Sequence, residues 1–312
     1  MQDVHSALQA RIFLVGCPRS GTTLLQSLLA AHPKIASFPE SHFFVHLLEQ
    51  RTPRQIAWGL ASHRARPRFE QFLQEAGHAE MRRCLPRHAY FLNQYTRAFI
   101  AVLDTLTKKQ SKDLWVEKTP DHVRHIDLIE KLVQGANFIH IVRNGADVVA
   151  SLYEVTHQYP QIWDGPWGID QCIRKWVTCI QSSCNHWHKS NHFLVSYEQL
   201  VRNPEVILNQ LGEFIGIPLN YAALQSRKSM AASIVLKHEP WKNSVSKPLS
   251  SISRNKFNQL FDEAQRDYIL NQIAQVNLDY LPQAEHLALE KRQKTGDKRW
   301  EGDIHSSLTT QA

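Results

Sequence analysis

Between a short apolar run and a helical repeat of leucines, the chain carries Gly16-Cys17-Pro18-Arg19-Ser20-Gly21-Thr22-Thr23. The preceding Arg11-Ile12-Phe13-Leu14-Val15 reads as a buried strand, and Leu24, Leu25, Leu28 and Leu29 recur at helical spacing as far as His32-Pro33. Strand, glycine-containing turn and helix in that order make a phosphate-binding loop. Glycines let the backbone approach an anion, and the start of the helix offers N–H groups and the positive end of its dipole. The nucleotide-hydrolase form of this loop reads G-x-x-x-x-G-K-[ST]. Gly16, Gly21 and Thr23 hold those positions, but Thr22 stands where the lysine belongs. Ser20, Thr22 and Thr23 add hydroxyl donors, and Arg19 adds a fixed charge with forked geometry. The cradle is kept and the charge of the hydrolases is lost. This points to an anionic donor bound without ATP–magnesium chemistry.

The rest of the chain alternates in the same way. Leu114-Trp115-Val116 is a candidate strand that ends at Glu117-Lys118-Thr119-Pro120, with a helix following through Ile126, Ile129 and Leu132 and a cap near Gly135. Phe138-Ile139-His140-Ile141-Val142 reads as a central strand running into Arg143-Asn144-Gly145 and a helix around Val148, Val149 and Leu152. Ile169, Ile173, Trp176, Ile180 and Trp187 mark an amphipathic helix, and Phe193 to Tyr197 a further strand. A helix through Val206, Leu208, Leu211 and Phe214 should end at Gly216-Ile217-Pro218. Residues 46–110 look mostly helical, and Phe257 to Ile273 suggests one last helix. Strands alternating with helices predict an α/β, P-loop-type three-layer fold, with a central parallel sheet and helices on both faces. Ligands of such sheets sit at the carboxyl ends of the strands, so the loops after Val15, Val116 and Val142 should meet. A single domain over 1–282, with a helical insert at about 46–110, is expected. The charged segment 283–312 should form a peripheral or disordered tail.

Composition narrows the function classes. The net charge of +7 suits a polyanionic donor or acceptor as well as nucleic acid. No aromatic-interleaved basic pattern of the RNA-binding kind occurs, so no nucleic-acid partner is expected. Arg51, Arg54, Arg64, Arg66 and Arg68 form a basic stretch that reads as a solvated face or loop and hints at an anionic acceptor. No apolar run approaches the length of a membrane span. The N-terminus carries no basic-then-apolar leader. The five cysteines include no CxxC pair, so neither a disulfide framework nor a zinc site is indicated. Cys172, Cys179 and Cys184 read as small buried residues on one helix. A reducing, cytoplasmic location is expected.

The three loops also resemble a known family, the sulfotransferases that use 3'-phosphoadenosine 5'-phosphosulfate (PAPS). Gly16 to Leu24 is similar to the family's 5'-phosphosulfate loop, in the Pro-Arg-Ser-Gly-Thr-Thr form of tyrosylprotein sulfotransferases. Arg143, with Ser151 eight residues on, resembles its 3'-phosphate pair. Glu117-Lys118-Thr119-Pro120 is similar to a segment of heparan sulfate sulfotransferases. So is Glu40-Ser41-His42-Phe43-Phe44, although Pro39 replaces their lysine. Ser196-Tyr197-Glu198 resembles a segment near the adenine in cytosolic sulfotransferases.

The resemblance implies transfer of a sulfuryl group from PAPS to an acceptor hydroxyl, leaving PAP, with no metal required. Positioning and electrostatics dominate such chemistry. Arg19, Ser20, Gly21, Thr22, Thr23 and Leu24 would hold the 5'-phosphate and the leaving oxygen, and Lys118 would stabilise charge on the bridging oxygen. Glu40 would act as general base. Pro39-Glu40-Ser41 could equally begin a helix, and His42 and the more distant His122 are rival bases. Arg143 and Ser151 would clamp the 3'-phosphate, though an arginine at a strand end can also cap the sheet. Tyr197 would lie near the adenine or in the core. Ser251, Arg254 or Lys256 would close over the donor. The acceptor, whether carbohydrate, tyrosine or small molecule, is not readable. Two other readings compete: a P-loop nucleotide kinase or NTPase, and a non-catalytic basic nucleotide-binding module. Thr22 and the missing magnesium-binding Asp weigh against the first, and the presence of Glu40 and Lys118 against the second.

Overall fold

The computed structural model describes residues 8–86, 88–227 and 256–276. Five strands form one sheet: β1 (Ala10–Gly16), β2 (Ile35–Ser37), β3 (Leu114–Lys118), β4 (Ala136–Val142) and β5 (His192–Ser196). They are ordered β2-β3-β1-β4-β5 and every neighbouring pair is parallel. The expected α/β architecture is therefore present. The first strand in sequence is the middle strand in space. Its partners place Leu14 beside Lys118 and Gly16 beside Ile141, and β4 sets Val142 beside Ser196. The carboxyl ends of four strands thus converge.

Alternation along β1 divides the core. Ile12 and Leu14 face one layer with Val116, Ile139, Ile141 and Val195, against the helices Thr22–Ala30 and Pro204–Ile215. Phe13 points the other way. Its ring stacks on Phe138 at 5.6 Å and meets Trp115 edge-on at 5.3 Å and Phe44 at 6.0 Å. On that face the helix Leu92–Lys109 is tied to the sheet through Asp104, which accepts from Trp115 Nε1 at 2.8 Å and from Arg11 Nη2 at 2.7 Å. Helix Ile169–Cys184 covers the β4 side, where Ser183 meets His140 at 3.0 Å. Cys172 and Cys179 are buried on this helix and Cys184 is half-buried, as small packing residues would be.

The 46–110 segment is mostly helical as expected, with helices Pro53–Ala57, Ala65–Glu75 and Leu92–Lys109. Phe43 stacks on Phe99 at 4.1 Å and meets Phe69 at 5.5 Å, which joins the segment to the sheet layer. An antiparallel bridge between Leu60 and Phe91 was invisible to periodicity. The basic stretch is spent locally. Arg51 donates to the Ala61 carbonyl, Arg54 lies over Trp58, Arg64 pairs with Glu49, Arg66 with Glu70, and Arg68 donates to Gln71.

Three element boundaries differ from expectation. The helix after β3 closes at Val133, and Gly135 (φ 71) turns the chain into β4. Tyr197 opens the helix Tyr197–Arg202 instead of ending β5, because the Ser196 hydroxyl caps Gln199 N–H. The last helical stretch is two helices, Lys256–Leu260 and Glu263–Ala274, divided where Asp262 forms a capping box with Gln265. Ser251, Arg254 and the segment 283–312 lie outside the described residues. Among those described, no helix is long and apolar enough to cross a membrane.

Candidate active site

The loop after β1 forces its backbone into conformations that few residues tolerate. Gly21 has φ 95, and a Cβ there would lie 2.4 Å from the Tyr197 ring. At Gly16 a Cβ would lie 2.4 Å from the Ile141 carbonyl oxygen. Arg19 has φ 73, a left-handed conformation uncommon for a side-chain-bearing residue. No side chain caps the helix Thr22–Ala30 at Gly21, and the N–H groups of its first turn have no acceptor within the helix. Ser20 and Thr22 are buried, and Leu24 points into the core, so Leu24 can offer an anion only its backbone.

Two arginines meet over this loop. Arg19 Nε donates to Ser151 Oγ at 3.1 Å, from loop to the helix Gly145–Gln158. Arg143, which follows β4, donates from Nη1 to the Arg19 carbonyl oxygen at 3.2 Å and reaches Asp147 at 3.4 Å. Its guanidinium lies 4.4 Å from the centre of the Tyr197 ring, a cation–π contact. Trp176 Nε1 holds the Arg143 carbonyl at 3.1 Å. Burial, and then the charge of Arg143, lower the Arg19 pKa, while Glu154 and Glu40 oppose this. Ser20 Oγ and Arg143 Nε are buried with no hydrogen-bond partner. Orphaned donors of this kind inside a cationic pocket are what a bound anion with several oxygens would satisfy.

Lys118 and Glu40 form the second half of the site. Lys118 is 1 % exposed, ends β3 and pairs with Glu40 Oε1. It also lies 3.4 Å from Thr23 Oγ1, so it touches the phosphate loop. Glu40 sits between β2 and the helix Phe43–Leu48 and does not begin that helix; His42 precedes it, at φ 47. His42 Nε2 is 3.2 Å from Glu40 Oε2. Burial disfavours charge on His42, but the hydrogen bond and charge of Glu40, with Asp121 and Glu117 beyond, raise its pKa overall. His122 is fully buried; its Nδ1 meets Glu117 at 3.0 Å and its Nε2 accepts from Phe44 N–H at 3.2 Å. Lys256 pairs with Glu154, one turn along the helix from Ser151 and near enough to Arg19 for its charge to act on that guanidinium.

The Glu117-Lys118-Thr119-Pro120 motif by itself gives Glu117 no role. Glu117 is completely buried and accepts hydrogen bonds from Ser41, Thr119 and His122. A carboxylate directly after the apolar run Leu114-Trp115-Val116, still within the strand, is the signal that marks it. Glu198 likewise accepts from Asn144 N–H at 2.9 Å and from the Ser196 hydroxyl, linking the ends of β4 and β5.

Elsewhere, Asp127, Glu130 and His186 are close enough to share a cation. They stand by the amino-terminal ends of β4 and β5, where Glu130 is already bound to Lys189, Asn191 and His192.

The family model described as "Sulfotransferase family" matches residues 11–221. Protein-tyrosine sulfotransferase A of Caenorhabditis elegans is 26% identical over 254 residues, covering 80% of this chain. The protein-tyrosine sulfotransferase of Drosophila melanogaster is 26% identical over 250 residues, covering 78%. The chain spans 61% and 43% of the lengths of these two relatives. Among solved structures, the sulfotransferase domain from the Synechococcus PCC 7002 olefin synthase aligns with a TM-score of 0.54 at 22% identity, over 88% of this chain and 98% of that one. The sulfotransferase domain from the curacin biosynthetic pathway gives 0.55 at 21% identity, over 86% and 99%. Both share the fold.

Proposed function

The chain belongs to the sulfotransferase family, and from that premise we propose that it transfers a sulfuryl group from PAPS to an acceptor hydroxyl. The observation that carries the reading is the contact of Lys118 with both Glu40 and Thr23, beside a loop where Ser20 Oγ and Arg143 Nε are buried without partners. The donor supplies an activated sulfuryl group on a nucleotide phosphate that leaves readily.

The chain's own residues would do the rest. The loop amides from Arg19 to Leu24, with Arg19, Ser20, Thr22 and Thr23, hold the 5'-phosphate. Arg143 and Ser151 hold the 3'-phosphate, and Tyr197 orients Arg143 by lying under its guanidinium. Lys118 neutralises charge that develops on the bridging oxygen, a site it can reach because it already touches the loop. Glu40 removes the proton from the acceptor hydroxyl, and His42 holds the second oxygen of that carboxylate. None of these steps asks for a metal.

Two relatives are named for protein tyrosine, so a peptide tyrosine hydroxyl is the first acceptor to try, ahead of sugars and small hydroxyl compounds. Calorimetry with adenosine 3',5'-bisphosphate and with 5'-AMP tests the donor. The bisphosphate should bind at least tenfold tighter, and equal affinity would remove PAPS as the donor. A labelled-sulfate transfer screen over peptides, sugars and phenols tests the reaction. If Glu40→Gln transfers at the parent rate, Glu40 is not the base.

A further inference from the structure

Four consecutive backbone N–H groups at the turn after Glu40 end on side chains gathered around one buried carboxylate. Ser41 N–H donates to Glu117 Oε1 at 3.3 Å. His42 N–H donates to Thr119 Oγ1 at 3.1 Å, Phe43 N–H to Ser41 Oγ at 3.1 Å, and Phe44 N–H to His122 Nε2 at 3.2 Å. The three accepting side chains pass a proton onward. The Ser41 and Thr119 hydroxyls each donate to Glu117 Oε1 at 2.7 Å, and His122 Nδ1 faces Glu117 Oε2 at 3.0 Å.

The direction of every bond follows from this. An amide N–H can only donate, so His122 Nε2 must accept from Phe44 and the ring proton must sit on Nδ1, toward Glu117. Each hydroxyl accepts from an amide and so spends its proton on Glu117. All the donors point inward, and only an acceptor with no proton of its own satisfies them. Burial alone would raise the Glu117 pKa. His122, Thr119 and Ser41 more than offset burial and hold it below the ordinary carboxylate value.

The flanking residues give the arrangement its purpose. Glu40 directly precedes Ser41, and Lys118 directly follows Glu117. We infer that Glu117, kept as an anion, is a positioning residue that sets Glu40 against Lys118 by clamping the Ser41–Phe44 turn to the end of β3. The inference rests on the roles proposed above for Glu40 and Lys118. Neither Glu117 nor Thr119 needs to touch either substrate. Replacing Glu117 by glutamine would put an N–H₂ group among inward-pointing donors, and no single flip of a hydroxyl or of the imidazole repairs it. Reversing His122, for example, would set its Nε2–H against Phe44 N–H.

The test uses Glu117→Gln, Thr119→Val and Thr119→Ser in the full chain, with three readouts. Transfer kcat should fall roughly 10- to 100-fold in Glu117→Gln and Thr119→Val, the scale of a small misplacement of reacting groups. Affinity for adenosine 3',5'-bisphosphate should stay within about twofold, because the arginine clamp stands on other strands. Thr119→Ser, which restores the hydroxyl, should recover most of the lost kcat. The Lys118 13Cε resonance, assigned with Lys118→Met, should move in Thr119→Val and return toward the parent position in Thr119→Ser. Long-range 1H–15N spectra of the parent at pH 7.5 should show His122 protonated on Nδ1 and not on Nε2. The inference is overturned if His122 carries its proton on Nε2. It is also overturned if the Lys118 resonance ignores Thr119→Val, or if kcat in Glu117→Gln stays within twofold of the parent. A parent that transfers no sulfuryl group at all defeats the proposed function instead. The two spectroscopic readouts need no turnover and judge the clamp by themselves.

Discussion

Arg19 Nε donates to Ser151 Oγ at 3.1 Å, so the loop after β1 and the helix after β4 are joined across the mouth of the site. Arg143 completes the connection by donating to the Arg19 carbonyl oxygen. The two groups proposed for the 3'-phosphate, Arg143 and Ser151, therefore each hold Arg19, which is proposed for the 5'-phosphate.

Removing the Ser151 hydroxyl should separate these roles. Ser151→Ala is expected to weaken adenosine 3',5'-bisphosphate binding by roughly tenfold, the worth of one hydrogen bond to a charged group. Its effect on 5'-AMP should be smaller. Titration calorimetry decides the matter, and an equal loss for both nucleotides would place Ser151 in loop support alone.

Gly21 and Gly59 differ in what surrounds their backbone. At Gly21 both a left-handed φ and the Tyr197 ring exclude a side chain. Gly59 shares the left-handed φ (73) but has open space around it. Gly21→Ala should cost roughly 3 kcal/mol and Gly59→Ala about 1–2 kcal/mol, the latter from strain alone. Thermal unfolding of the two variants compares them directly. Equal destabilisation would mean that Tyr197 yields to the loop.

Lys118 and Glu40 should behave as one unit. Lys118→Met alone is expected to destabilise by roughly 3–5 kcal/mol, because it sets a carboxylate that is only 12 % exposed against an apolar chain. Glu40→Gln combined with it should cost less than the sum of the single changes. Either single change should lower transfer by roughly 100-fold or more. A denaturant-melt cycle that is additive to within about 0.5 kcal/mol would show the pair to be energetically independent.

Stability should fall with acid below pH 6.5. Burial, with the charge of Arg124 behind it, lowers the His125 pKa to about 4. Burial, with His42 and Arg68, likewise lowers that of His46 to about 4. The unfolded chain thus binds more protons than the folded one between pH 6.5 and 4. The stability these groups contribute is present above pH 6.5 and is withdrawn as pH falls toward 4. His125→Gln should flatten the dependence of Tm on pH in that window and leave the slope above pH 7 unchanged. An identical slope in parent and variant would rule out His125 as a source.

Much of the site was legible because its residues stand where apolar runs stop. Val15, Val116 and Val142 end or nearly end their strands, and Arg19, Lys118 and Arg143 follow within a few positions. A parallel sheet then brings such residues to one edge. Legibility failed where local pattern is silent. The pairing of Lys256 with Glu154, 102 positions earlier and one turn from Ser151, has no counterpart in local spacing. Nothing local to His122 shows that its ring is fully buried, with Phe44 N–H on one nitrogen and Glu117 on the other. Periodicity also ran the helices Lys256–Leu260 and Glu263–Ala274 together, because a capping box interrupts the chain without interrupting its hydrophobic spacing.

The amino-acid sequence by itself determined the strand–loop–helix units, the parallel character of the sheet and the phosphate loop. Each depends on side-chain period and turn chemistry over a few neighbouring residues. Only the tertiary structure decided that β1 is the central strand, that Lys118 lies between Glu40 and Thr23, and that Glu117 collects the protons of Ser41, Thr119 and His122. Those meetings join residues as many as 95 positions apart. They are set by how buried faces pack and by the need of every buried polar group for a partner, which no local pattern records.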